Sequence, residues 1–271
     1  MSAKAEATDQ DLTAIGTNDA PRAGLPSPVS WASCRRHLID NWNPGQHFAI
    51  LAPTETGKTV FASQGLLPMW SHSITIDPKG DDNLDWARRL GAKVLPRYPK
   101  RNVGEAWGED PYPDRHYWIN PPLSTQYDAL GDAMSKVWHG STKGRGWVVY
   151  VDEVKMISDP PHKHGLGMES HIIRYLRYGR GRGITFIGGT QSPRFVTGDL
   201  YDQPRWHAIG YTSDRRTIDR YGEISGFDMS VARDVIPNLG EHEFWVLGPH
   251  RYSVVTSYPL NERRKTLRRR R

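Results

Sequence analysis

An apolar run that ends in a glycine-lysine-threonine limits what this chain can fold into more than any other feature. Residues 46–51 read QHFAIL, residues 52–59 read APTETGKT, and Val60 and Phe61 follow. An apolar segment, a polar loop closing on Gly57-Lys58-Thr59, and apolar residues again give the order strand, loop, helix. The loop matches the phosphate-binding pattern G-x-x-x-x-G-K-[ST], except that Ala52 stands where the first glycine is usual. Such a loop needs backbone N–H groups turned inward at a helix N-terminus, where the partial positive charge favours an anion. Gly57 permits close backbone approach, Lys58 supplies charge to the β- and γ-phosphates, and Thr59 offers a hydroxyl to Mg2+. The cradle is then Thr54, Glu55, Thr56, Gly57, Lys58, Thr59 and Val60, with ATP and Mg2+ as the expected ligands. Ala52 requires an approach to the loop that avoids positive φ. Glu55 adds a negative charge beside an anion site and is expected to point to solvent or a basic neighbour.

Two further apolar runs end in polar residues. Residues 147–151 (WVVYV) are followed by Asp152-Glu153. Five apolar residues in a row are how a strand buried on both faces reads. An acid delivered by a strand beside the phosphate loop is a Walker B element, with Asp152 holding Mg2+ through water and Glu153 polarising the attacking water. Residues 184–187 (ITFI) read as another buried strand, stopped by Gly188-Gly189 and followed by Gln191. A neutral amide at a strand tip is placed to sense the γ-phosphate. Between the two runs lie Arg174, Arg177, Arg180 and Arg182, the last two among glycines. That pattern reads as a tight exposed turn, from which an arginine can reach a neighbour's γ-phosphate.

Further strands are expected at 73–76, 93–95, 117–119, 206–211 and 244–247, and helices at 83–90, 125–138 and 171–178. Strands alternating with helices point to an α/β fold with a mostly parallel central sheet flanked by helices. Ligands in such folds bind at the carboxyl ends of the strands, so the three polar ends above are to be read together.

Charge and composition divide the chain. Residues 1–28 are small, polar and proline-punctuated, an arm without apolar periodicity. The ATPase-like pattern occupies 29–260. The whole net charge of +6 lies in the last ten residues, ERRKTLRRRR, leaving the first 261 residues neutral. This tail, 261–271, with Arg263, Arg264, Lys265, Arg268 and Arg269, suggests a polyanion such as nucleic acid. Lys155 and Lys163, just after the Walker B strand, are further candidates for DNA phosphates. The histidines His162, His164 and His171 lie in or near a loop with a lysine between imidazoles, a poor metal set. One cysteine, Cys34, excludes an internal disulfide framework and fits a reducing cytosol. No apolar run is long enough to span a bilayer, and the polar N-terminus does not read as a signal peptide. A cytoplasmic location is expected.

The motifs taken in order, APTETGKT, DPKG (77–80), VVYVDE, GRGRGI and GTQSP, resemble the FtsK–HerA superfamily of P-loop motors over roughly residues 46–192. The resemblance implies a RecA-like P-loop NTPase core, a ring that is commonly a hexamer, and ATP-driven movement of double-stranded DNA. Carried over by position, Lys58 and Thr59 match the Walker A pair, Asp152 and Glu153 the Walker B acid and catalytic glutamate, and Gln191 the polar sensor. Arg180 matches the arginine offered in trans, with Arg182 its nearest competitor. The chain departs from the pattern at Ala52, and it has no room for a membrane domain or a barrel of the kinds some members carry. A compact member points to packaging of viral DNA at a capsid vertex. Conjugative or mobile-element transfer, and phage morphogenesis, are the alternatives. For the DPKG segment two readings stand open: Asp77 joins the site and Lys79 meets phosphate, or the segment is a plain turn.

Overall fold

The computed structural model describes residues 26, 28–79, 84–97, 115–140, 147–163, 165–191, 198–226 and 228–258. The basic tail candidates Arg263, Arg264, Lys265, Arg268 and Arg269, and most of the N-terminal arm, lie outside these residues. Nine strands among the described residues form one sheet: β1 Phe48–Leu51, β2 His72–Ile76, β3 Lys93–Leu95, β4 Arg115–Ile119, β5 Trp147–Val151, β6 Ile184–Thr190, β7 Trp206–Gly210, β8 Glu243–Gly248 and β9 Tyr252–Ser257. Their order is β3-β4-β2-β5-β6-β1-β7-β8-β9. Every pairing from β3 to β7 is parallel, and only the β7–β8 and β8–β9 pairings are antiparallel. The expected α/β architecture is present.

Alternation along the strands supplies both faces of the sheet. Phe48 and Ile50 pack with Val148 and Tyr150 in one core, while Ala49 and Leu51 pack with Trp147, Val149 and Val151 in the other. The first core also takes Cys34 and Leu38 from helix α1 (Trp31–Asn41) and Phe61, Ala62 and Leu66 from the segment after the phosphate loop. That segment opens as helix α2 (Lys58–Val60), widens into a π-helix over Phe61–Leu66, and closes as a 3-10 turn over Leu67–Met69. The second core takes chiefly Leu130, Met134 and Val137 of α4 (Gln126–Gly140) and Ile172 and Leu176 of α6 (Glu169–Tyr178), whereas Leu90 packs against the first. Here α3 is Leu84–Leu90 and α5 is Val154–Ser158. The result is helix, sheet, helix. Each large apolar side chain fully withdrawn from water contributes roughly 1.5–3 kcal/mol.

Three departures from the sequence reading have physical causes. Strand β6 does not stop at Gly188-Gly189 but runs through them to Thr190. The glycines are there for close packing: a Cβ on Gly188 would meet Leu200 Cδ1 at 2.5 Å, and one on Gly189 would meet the Asp152 carbonyl oxygen at 2.5 Å. Helix α1 is capped by Ser30, whose hydroxyl accepts from the Ser33 N–H at 3.2 Å, a local signal of a helix start. Residues Pro249–Arg251 form the β8–β9 hairpin turn, which no turn signature in the sequence announces. His250 and Arg251 both hold positive φ there, 57° and 62°.

Candidate nucleotide site

Strand β6 lies between β1 and β5, so the strand leading into the phosphate loop and the strand carrying the acids are second neighbours. Their polar ends nevertheless meet. The Thr59 hydroxyl donates to Asp152 Oδ1 at 2.7 Å, across 93 positions of sequence. Alternation explains how: Tyr150 faces the phosphate-loop side of the sheet, and Asp152, two residues on, continues in the same direction. Tyr150 is fully buried and its hydroxyl also donates to Asp152 Oδ1. The remaining oxygen, Oδ2, accepts from Lys79 Nζ at 2.7 Å. Burial pushes the Asp152 carboxyl up, but Lys79, Tyr150 and Thr59 outweigh it and hold it below the ordinary value.

Within the loop, Gly57 has φ 90°, a conformation that favours glycine, and a Cβ there would lie 3.1 Å from His242 Nδ1. Glu55 also holds positive φ, 65°, and is exposed, in line with the expectation that it points away from the anion site. Ala52 enters buried and regular, its N–H donating to Thr190 O at 3.1 Å. The Thr56 hydroxyl and Lys58 Nζ both donate to Pro53 O, at 2.7 and 2.6 Å. Burial pulls the Lys58 ammonium down to about 8, against the opposing pull of Glu153 and Asp152.

Glu153 is 8% exposed, and its Oε2 is buried with no hydrogen-bond partner. Burial raises its pKa, with Lys79 and Lys58 opposing. Gln191 follows β6 directly, and its Oε1 accepts from the Thr54 hydroxyl at 2.9 Å, so the amide is tied to the phosphate loop. Lys58, Thr59, Asp152, Glu153 and Gln191 therefore converge at the carboxyl ends of β1, β5 and β6. A cleft of about 400 Å3 opens beside the loop, lined by Thr54, Glu55, Thr56, Tyr211, Leu239 and His242 among others.

Arg180 is elsewhere. It lies in the 3-10 turn Gly179–Arg182 that precedes β6, at the amino end of the strand whose carboxyl end carries Gln191. Seven residues of strand separate it from its own phosphate loop, roughly 20 Å or more. Its side chain is exposed. Arg182 instead donates to Trp138 O at 3.0 Å and lies over the Trp138 ring. Lys155 pairs at 3.0 Å with Asp159, the residue that caps the end of its helix, and Lys163 is exposed.

Three contributors were not identified from the sequence. Tyr150 reads from the sequence only as an apolar strand residue, although its i, i+2 relation to Asp152 puts both side chains on one face. Trp118 donates from Nε1 to the buried Asp77 Oδ2 at 2.8 Å. His242 reaches the phosphate loop through Thr56 O at 3.3 Å from 186 positions away, a relation with no local signal. Lys79, for which the sequence allows either a phosphate contact or a plain turn, pairs with Asp152.

The buried, unpartnered Glu153 Oε2, the Thr59–Asp152 pair and a loop glycine closed against His242 fit a nucleoside triphosphate with Mg2+. No family model matches the sequence, and no curated protein matches it. Solved structures do resemble the fold. The genome-packaging NTPase B204 of Sulfolobus turreted icosahedral virus 2, in complex with ATP-gammaS, aligns with TM-score 0.55 and 14% identity over 79% of this chain and 97% of that one. The same NTPase with AMPPCP gives TM-score 0.54 and 15% identity over the same shares. VirB4 of Thermoanaerobacter pseudethanolicus gives TM-score 0.57 and 11% identity over 81% of this chain and 91% of that one. The fold is that of a P-loop NTPase core, as the motif order implied.

Proposed function

We propose that this chain is an ATPase of the FtsK–HerA type that hydrolyses ATP to move double-stranded DNA, in the setting of viral genome packaging. The carrying observation is the Thr59–Asp152 hydrogen bond with the unpartnered Glu153 carboxylate oxygen beside it. It joins a phosphate loop, a metal-binding acid and a base in one site. The packaging setting draws on the likeness to B204, a packaging NTPase whose length this chain almost wholly covers.

In this reading Thr54, Glu55, Thr56, Gly57, Lys58, Thr59 and Val60 wrap the phosphates, and the cleft toward Tyr211 and His242 takes the nucleoside. Lys58 exchanges Pro53 O for the β- and γ-phosphate oxygens. Thr59 and Asp152 hold Mg2+, Asp152 through water. When bound, the metal neutralises charge on the phosphates and orients them for in-line attack. Glu153 accepts a proton from the attacking water, for which a raised carboxyl pKa suits it. Gln191 reports the γ-phosphate to β6, because its amide is already coupled to Thr54.

Arg180 acts on a neighbouring copy in a ring, commonly a hexamer in such motors. Its distance from its own site supports this, and Arg182, engaged with Trp138, is the weaker choice. Domain 29–260 carries the motor, the arm 1–28 precedes it, and the arginine tail 261–271 grips DNA or an acidic partner at the capsid vertex. Lys155 and Lys163 serve as further DNA contacts. The Lys155–Asp159 pair is a surface pair of small net value and exchanges readily for a DNA phosphate.

The test is the ATP turnover rate with and without double-stranded DNA. Stimulation is expected, with Lys58→Ala inactive and Glu153→Gln binding ATP without turning it over. Turnover indifferent to DNA would replace the motor with a morphogenesis ATPase, and normal turnover by Glu153→Gln would remove Glu153 as the base.

A further inference from the structure

Three buried carboxylates meet in the site: Asp77 and Asp152 are fully buried and Glu153 is 8% exposed. Two lysines face them. Lys58 is turned onto Pro53 O, whereas Lys79 donates directly to Asp152 Oδ2 at 2.7 Å. The Lys79 backbone is fixed. Its N–H donates to Asp77 Oδ1 at 3.0 Å, the other Asp77 oxygen accepts from Trp118 Nε1 at 2.8 Å, and Pro78 O accepts from Gln126 Nε2 at 2.9 Å. The turn after β2 is therefore built to deliver one ammonium to one carboxylate.

That carboxylate is also the one assigned to the metal. A buried anion without a counter-charge is strongly destabilising, so Asp152 needs a cation in every state of the site. Two cations on one buried carboxylate repel each other, so the Lys79 ammonium, itself partly open to solvent, opposes a divalent ion beside Asp152.

We propose that Lys79 is a stand-in cation: it neutralises Asp152 while no metal is bound, and so sets the Mg2+ concentration at which the site loads with nucleotide. The inference rests on the ATPase reading above and adds to it a residue that neither the phosphate loop nor the Walker B strand contains.

The experiment uses the full chain and a fluorescent, slowly hydrolysed ATP analogue, with binding followed as MgCl2 is titrated. Lys79→Gln keeps a hydrogen-bond donor and removes the charge, so it should bind nucleotide at roughly tenfold lower Mg2+. Lys79→Arg keeps the charge and should stay near the wild-type requirement. Simple damage to the site would raise the Mg2+ requirement, the opposite direction. An unchanged or raised requirement in Lys79→Gln, with nucleotide still bound, overturns the stand-in role and leaves the ATPase reading standing. Absence of nucleotide binding by the wild-type chain overturns both. A measurement on the wild type alone guards against a variant that does not fold. Without nucleotide, MgCl2 should leave its melting temperature where a chelator leaves it, because Asp152 is already neutralised. A clear rise on adding MgCl2 overturns the proposal.

Discussion

The Arg182 guanidinium lies over the Trp138 ring, 4.8 Å from its centroid, and donates to the carbonyl of the same residue at 3.0 Å. Two residues earlier, Arg180 is exposed on the same turn. The pair that sequence alone could not separate is thus divided: Arg182 fastens the turn to α4, and Arg180 points outward from the place it fastens.

Their variants should separate accordingly. Arg182→Ala is expected to lower unfolding free energy by about 1–2 kcal/mol, from the lost stacking and hydrogen bond. Arg180→Ala should leave the melting curve unchanged yet depress ATP turnover when mixed with wild-type subunits. The measurement is turnover against mixing ratio. A straight line, each subunit acting alone, would reject the action in trans.

Lys58 carries a pH dependence with a definite sign. Its ammonium has a pKa of about 8 in the nucleotide-free chain, because burial disfavours the charge. Phosphate binding requires the protonated form. At pH 8 roughly half of the sites are neutral, so loading nucleotide should take up about half a proton, and affinity should fall as pH rises further. Calorimetry in two buffers of different protonation enthalpy reads this directly. Binding heats that do not depend on the buffer at pH 8 would show that Lys58 is not the titrating group.

The two glycines of β6 should differ in tolerance. An added methyl at Gly188 meets the end of the Leu200 side chain, which can turn aside, although Phe186 Cε1 and Val154 Cγ2 are also within 3.0 Å. At Gly189 it meets the Asp152 backbone, which cannot. Gly189→Ala should therefore be the more destabilising, by about 2–3 kcal/mol, and should also displace Asp152. Denaturant unfolding together with nucleotide binding checks both effects. Equal losses at the two positions would contradict the packing argument.

Much of this architecture was legible because the signals are local. WVVYV and KVL became β5 and β3 with the bounds read from them, and the glycine-lysine-threonine loop opened a helix as its pattern requires. The elements that were missed or shortened depend on relations between distant residues. A glycine pair reads as a stop unless Leu200 and the Asp152 backbone are known to press on it. The β8–β9 hairpin turns on two non-glycine residues, His250 and Arg251, in the left-handed region, where no turn signature announces it. That Lys58, Thr59, Asp152, Glu153 and Gln191 come together is legible because each follows an apolar strand whose end faces the same edge of the sheet. Tyr150, Trp118 and His242 act on it from within strands or across the fold, and apolar patterning conceals such roles.

Strand β6 carries Arg180 just ahead of one end and Gln191 just past the other, and it is buried along all seven of its residues between the strands of the two nucleotide motifs. Such a strand has nowhere to bend. In the proposed ring motor, a shift of the Gln191 amide on loss of a phosphate would be carried along it as through a push-rod and reach Arg180 at the strand's other end. Around a ring of copies, each chemical event would then be announced to the adjoining subunit by the stiffness of one strand, without a hinge or a moving domain.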